Sequence, residues 1–379
     1  MLALAVMSMF GFSGYAALLA VAPLWVVEGG ATTAGAGLVN AVLLVATVST
    51  QLAVPRSLAR WGTGAVLVVG LLLLGAPAPA YLISDSLGWV LGLSAVRGIG
   101  FGILTVVGST VAAQLVRAHR RGAAIGVYGL SVAVPNLLLL PGSVPVVDRF
   151  GFGPVFWVAA LPLAGVPAAL RLARVLRGLD SSQPNRAHQR SPASLRGLSG
   201  IVSPTVVLFS VTMAGGALLT FAPQLTSAGT AALVLFTIGA ASALSRWLIG
   251  AWADRLGPWP FISPGLTCLG SAMAVCAWAV AHDQALVLIA TAIVVGLCYG
   301  ALQNLTLVAA FAAVEHSNLP AASAGWNIGF DAGTASGSVV AGALAAAYSF
   351  PVALMTLAGI CFLVVVSTLV SAPRRTIGR

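Results

Sequence analysis

The chain has no lysine, and charge of either sign is scarce: 18 arginines and 8 acidic residues leave only 7% of 379 residues charged. A water-soluble domain carries roughly a quarter. With 59% hydrophobic residues and a mean hydropathy of +1.03, polar surface is too sparse to cover a soluble core, which excludes a soluble globular fold. The four cysteines, Cys268, Cys276, Cys298 and Cys361, lie inside apolar runs without metal-ligand or redox spacing and are expected to be small buried hydrophobes. Four histidines without i, i+4 pairing near carboxylates give no metal site. No G-x-x-x-x-G-K-[ST] loop is present, so ion coupling is favoured over nucleotide hydrolysis, and no cofactor is expected. The net charge of +10 does not point to nucleic acid, because the arginines sit in short loops and form neither a face nor an aromatic-lined groove. The chain opens on apolar Met1 and Leu2 with no basic n-region, so a cleaved signal peptide is not expected; the missing basic residues suggest a start further upstream.

What is present is a succession of apolar runs of about 20 residues, each able to cross a hydrocarbon layer roughly 30 Å thick. Length and breakers place spans at 2–27, 33–55, 63–83, 87–115, 122–147 and 153–176, then at 201–226, 229–250, 259–281, 284–312, 321–347 and 350–371. The expected fold is all-α, twelve transmembrane helices as two six-helix bundles. The expected domains are an N-terminal bundle at 1–176, a polar cytoplasmic linker at 177–198 and a C-terminal bundle at 199–379. If the first helix starts inside, fifteen arginines fall in inner loops and only Arg149 in an outer one. The positive-inside bias then predicts both termini in the cytoplasm. The halves echo each other: Arg60-x-Gly62 recurs as Arg255-x-Gly257, 195 positions on, and Gly98-Ile-Gly-Phe-Gly102 recurs as Gly296-Leu-Cys-Tyr-Gly300, 198 positions on. Paired bundles around a midplane site are a recurrent transporter plan.

After the eighth span, Gly250, Asp254, Arg255 and Gly257 spell G-x-x-x-D-R-x-G, followed by Pro258. This resembles the signature loop of the major facilitator superfamily, in its bacterial drug and metabolite efflux-like branch. The glycine permits close helix approach, and the charged pair can cap neighbouring helix ends as a gating latch. The first-half copy keeps Arg60 and Gly62 but has Ala59 where the family usually has Asp, so the second copy is expected to carry more of the gating. Arg97, opening Arg-Gly-Ile-Gly-Phe-Gly in the fourth span, resembles the family's arginine motif, which the resemblance links to proton coupling. In the fifth span Pro135, Asn136, Pro141 and Gly142 loosely resemble the family's antiporter helix, and a bent, closely packed helix explains them equally well.

Asp331 is the only carboxylate deep inside an expected span and the leading proton carrier, with a fixed structural ion pair as the competing reading. By resemblance, the first, fourth, seventh and tenth spans line a central cavity, which makes Tyr15, Tyr299, Gln303 and Asn304 substrate-facing candidates, with Asn327 beside them. Polar glue between helices explains each of these as well. Arg246 reads as a snorkelling, topological residue. The expected activity is not enzymatic: it is proton-coupled efflux of a small amphiphilic or apolar organic compound by alternating access. Proton-coupled uptake of a neutral metabolite or sugar is the alternative, and a transport-dead sensor or scaffold, or a polytopic membrane enzyme, a remote one. The expected partners are that substrate, protons and the lipid bilayer of a bacterial plasma membrane, the protein being monomeric.

Overall fold

The computed structural model describes residues 1–181 and 199–371. Among these every long element is a helix: α1 Leu2–Glu28, α2 Thr33–Gly75, α3 Leu87–Gln114, α4 Arg121–Phe150, α5 Phe152–Val158, α6 Val166–Ser181, α7 Val202–Leu225, α8 Ala228–Leu256, α9 Trp259–Ala281, α10 Ala285–Ala312, α11 Leu319–Ala347 and α12 Phe350–Ser371. In hydrocarbon each backbone N–H and C=O must find a partner within the protein, and a helix supplies those partners locally.

The expected boundaries shift in informative ways. α2 runs for 43 residues, about twice the length a bilayer needs, but Gly62 inside it has φ 76° and ψ 161°. That conformation is open to glycine and strained for other residues, and it ends one span and begins the next. The sixth expected span is built from α5, a 3₁₀ turn at Leu161–Gly165 and α6. Ten stretches are long and apolar enough to cross a membrane; one of them, Gly35–Ile83, holds both the second and third spans, and α11 is long enough but less apolar. Together these make the twelve spans expected. The linker expected at 177–198 lies outside the described residues from 182 onward, and its first residues continue α6.

The chain divides into two compact units: unit 1 comprises Met1–Ser199 with Phe311–Ile328, and unit 2 comprises Gly200–Ala310 with Gly329–Arg379. α11 therefore begins in one unit and ends in the other. Unit 1 has one core around Leu4, Met7, Leu71, Leu104 and Val107 and another around Val21, Val26, Tyr81 and Phe156; unit 2 has a single core around Val211, Leu266, Met273, Val295 and Leu357.

The sequence echo is an echo of packing. In unit 1, a Cβ at Gly102 would lie 2.6 Å from the Thr47 carbonyl oxygen, and one at Gly98 would strike that of Leu43. In unit 2, a Cβ at Gly296 would lie 2.6 Å from the Ile238 carbonyl oxygen, and one at Gly300 would strike that of Ser242. Leu43 and Thr47 stand 195 positions before Ile238 and Ser242, the offset of the Arg-x-Gly pair. α3 thus lies on α2 as α10 lies on α8, with backbones in contact because the intervening residues have no side chain. Gly62 and Gly257 also share a backbone conformation, φ 76° and 77°. A third copy missed in the sequence, Asp148-Arg149-Phe150-Gly151, ends α4 with Gly151 at φ 76°.

Candidate transport site

In unit 1, Arg97 lies on α3 at 1% exposure. Its Nε donates to the Leu74 carbonyl at 3.1 Å and its Nη2 to the Gly14 carbonyl at 2.6 Å, and its guanidinium stands 5.7 Å from the Tyr81 ring centroid. Tyr81 in turn shares a hydrogen bond of 3.0 Å with Ser94. Arg97 therefore ties α1 and α2 to α3 through backbone oxygens, an arrangement that suits a positioning residue. Tyr15 is half-buried and stacks on Phe101, centroids 3.9 Å apart. Asn327, on the part of α11 that belongs to unit 1, donates to the Ser323 carbonyl at 2.8 Å; Ser323 in turn donates to the Val106 carbonyl at 2.9 Å.

Unit 2 gathers the richer set. Tyr299, Gln303 and Asn304 are buried on α10 at 7%, 3% and 0% exposure. Arg246 Nη1 donates to Gln303 Oε1 at 2.9 Å, and Asn304 Nδ2 donates to the Arg246 carbonyl at 2.7 Å. Tyr299 is within electrostatic range of Arg246 and Asp331, with Thr334 and Gln303 beside it. α8, α10 and α11 thus converge a guanidinium, a carboxylate, a phenol and two amides. Helix rise places Arg246 roughly 15 Å before the end of α8 and Asp331 roughly 18 Å after the start of α11. Arg246 is thus tied to a neighbouring helix, α10, where the sequence led us to expect a residue reaching for the membrane surface. Its partner Gln303 lies 57 positions away in sequence, and nothing local in the chain announces the pair.

α11 reaches this depth because it lies backbone to backbone on α7: a Cβ at Gly333 would strike Thr212, one at Gly337 the Met213 carbonyl, and one at Gly216 the Thr334 carbonyl. Ser338 adds a hydrogen bond of 3.2 Å to the Gly216 carbonyl.

The signature-loop residues fall at helix ends. Gly250 is buried, Asp254 half-buried and Arg255 exposed, and Gly257 closes α8 by donating its N–H to the Ala253 carbonyl at 3.0 Å. Arg60 is exposed, with its guanidinium 5.6 Å from the Trp61 ring centroid. On α4, helix continues through Pro135, Pro141 and Pro145, and Asn136 Nδ2 donates to the Val132 carbonyl at 2.8 Å. A Cβ at Gly142 would meet nothing within 4 Å, so close packing does not explain that glycine. Among the cysteines, Cys276, Cys298 and Cys361 are buried, but Cys268 is exposed, which corrects the expectation that all four are interior. Cys268 on α9 is a neighbour of Cys298 on α10. No group of three or more metal-ligating side chains occurs among the described residues.

The geometry can be set beside known proteins. No curated protein matches the chain. Among solved structures, the human organic anion transporter TETRAN superposes with a TM-score of 0.74 at 14% identity, over 96% of this chain and 97% of that one. The proton:xylose symporter XylE, solved with 6-bromo-6-deoxy-D-glucose, gives 0.74 at 13% identity over 98% and 96%. The Escherichia coli fucose:proton symporter FucP gives 0.70 at 15% over 97% and 98%. At such identities the likeness is one of fold. The model of the Major Facilitator Superfamily matches residues 2–267 and 203–379, so that both halves are covered. The chain belongs to the major facilitator superfamily of membrane transporters.

Proposed function

We propose that this transporter is driven by protons and moves a small organic molecule by alternating access, with Asp331 as the group that takes up and releases the proton. The observation that carries the reading is the convergence of Asp331 and Arg246 on Tyr299, deep within α8, α10 and α11. A carboxylate at that depth is costly when charged, and a change in its protonation alters the electrostatics of everything beside it. Tyr299, Gln303 and Asn304 supply an aromatic face and amides for the cargo. Arg97, held by the Gly14 and Leu74 carbonyls, positions three helices of unit 1 and is assigned no proton, while Asp254 and Arg255 serve as the gating latch. A proton moving down about 100 mV releases roughly 2.3 kcal/mol, enough for about a fiftyfold gradient of cargo.

Two directions are compatible with a proton on Asp331. Export in exchange for protons follows if proton and cargo exclude each other, and suits an amphiphilic or apolar compound held by aromatic and neutral polar groups. Uptake follows if the two bind together, and Arg246 favours it by supplying a charge that cargo and proton can balance jointly. Proteins of this fold include the proton symporters for xylose and fucose named above, so joint binding is within its repertoire.

The test is a compound panel in inverted and right-side-out membrane vesicles with an imposed proton gradient, comparing wild type with Asp331→Asn. Gradient-driven accumulation lost in the variant is the expected result; equal accumulation by both removes Asp331 from the coupling.

A further inference from the structure

α6 presents a face on which apolar and cationic residues are sorted by depth. Ala169, Leu172 and Ala173 are buried in unit 1. Arg171, Arg174 and Arg177 are exposed. Their spacing of three residues spreads them over an arc of about 120° on the other side of the helix, and over a length of about 9 Å. Pro167 and Leu170, also exposed, come earlier on the same arc. Along its exposed face α6 therefore passes from apolar to cationic, which is the order of acyl chain and headgroup in a lipid leaflet.

A tryptophan sets the level of the cationic half. α6 meets the part of α2 that follows Gly62, where a Cβ at Gly64 would lie 2.6 Å from that of Ala173. As the third and sixth spans of the chain the two cross in opposite senses, so Trp61, three residues before Gly64, stands near the level of Arg174 and Arg177. Trp61 is 62% exposed, and exposed tryptophan collects at the membrane interface. The arginine row is not a requirement of crossing. α12 takes the place of α6 in the second half, starting at Phe350, 198 positions after Phe152, and its 22 residues include no charged side chain. On α6, three arginines less Asp180 leave a net charge of +2.

We propose that this face of α6 binds an anionic phospholipid of the leaflet in which the helix ends, its phosphate held by Arg171, Arg174 and Arg177 and an acyl chain lying on Pro167 and Leu170. A guanidinium offers a phosphate two parallel N–H donors. A zwitterionic lipid brings a cation of its own, which the arginine row repels, so an anionic headgroup is selected. The arginine distribution places this end of α6 on the side expected to be cytoplasmic, where anionic lipids give the leaflet a negative surface that attracts each nearby basic residue. The bound lipid braces unit 1 against the leaflet. It is separate from the cluster around Asp331 and acts whatever the cargo.

The experiment adds phosphatidylglycerol, cardiolipin, phosphatidylcholine or glycerol 3-phosphate to the purified full-length chain in a neutral detergent. It reads the melting temperature and, by native mass spectrometry, the lipid retained. The two anionic lipids should raise the melting temperature where phosphatidylcholine and glycerol 3-phosphate at equal concentration do not. Arg171→Gln, Arg174→Gln and Arg177→Gln should each weaken that binding by about fivefold, and the three together by on the order of a hundredfold. The single variants cover the case in which the triple variant does not fold. Arg117→Gln with Arg120→Gln, two exposed positions before α4, removes two charges without touching α6 and should bind lipid as wild type does. Phosphatidylcholine acting as well as phosphatidylglycerol, or the α6 variants binding like wild type, overturns the proposal. So does an equal loss in the Arg117 and Arg120 variant, which reduces the effect to net charge, and equal stabilisation by glycerol 3-phosphate, which makes the site one for free phosphate.

Discussion

Arg97→Met should destabilise unit 1 even though methionine is fully at home in hydrocarbon. The substitution removes two charge-assisted hydrogen bonds, of 3.1 Å to Leu74 and 2.6 Å to Gly14. Each is worth about 1.5–3 kcal/mol. It also removes the stack on Tyr81, at 5.7 Å, worth about 0.5–2 kcal/mol. Against this stands the relief of burying a cation, about 2.5–3.5 kcal/mol on insertion scales. The balance runs from about zero to a net loss of roughly 5.5 kcal/mol, centred near 3 kcal/mol. Thermal unfolding of the purified protein in one fixed detergent should show Arg97→Met melting several degrees below wild type. Arg97→Lys should lie between, because an ammonium keeps the charge but cannot reach both carbonyls with one planar group. If Arg97→Met melts with wild type, the positioning role is refuted, and a loss of proton-driven transport at unchanged stability would place Arg97 in the proton path instead.

Other substitutions probe the helix contacts. Gly337→Ala drives a methyl group into the Met213 carbonyl, which is backbone and cannot swing aside, so it should cost about 1–3 kcal/mol of stability. Gly142→Ala meets nothing within 4 Å and should be neutral or raise stability by about 0.5–1 kcal/mol; equal melting of the two variants would contradict the packing described for α7 and α11. Copper phenanthroline should join Cys268 to Cys298 within unit 2, seen as a loss of two hydrogens by mass and absent in Cys268→Ser. Free thiols at both positions after oxidation would mean that α9 and α10 do not lie as described.

Spans were legible in the sequence because apolar length is a property of neighbouring residues and the bilayer sets its scale. The halves were legible too, through Arg60-x-Gly62 and its copy, since a position that needs positive φ calls for glycine. The site was legible only as a set of residue types. Arg246 passed for a topological residue because Gln303, Tyr299 and Asp331 come to it from helices 50 to 90 positions away. Arg97 was noticed, but its partners are carbonyl oxygens, which every residue owns and no pattern marks. The approach of Cys268 to Cys298 depends on the register of α9 against α10, which hydropathy does not encode.

The small residues of α11, which keep its hydropathy below that of the other spans, bear on how the chain is made. A segment that carries Asp331, Asn327 and a run of glycines, serines and alanines partitions poorly into lipid when it leaves the ribosome alone. Its neighbours α10 and α12 are strongly apolar, and α7 offers it backbone contacts through Gly216. α11 is therefore expected to enter the bilayer paired with a neighbouring helix, so the helix that carries Asp331 depends on earlier helices for its place in the membrane.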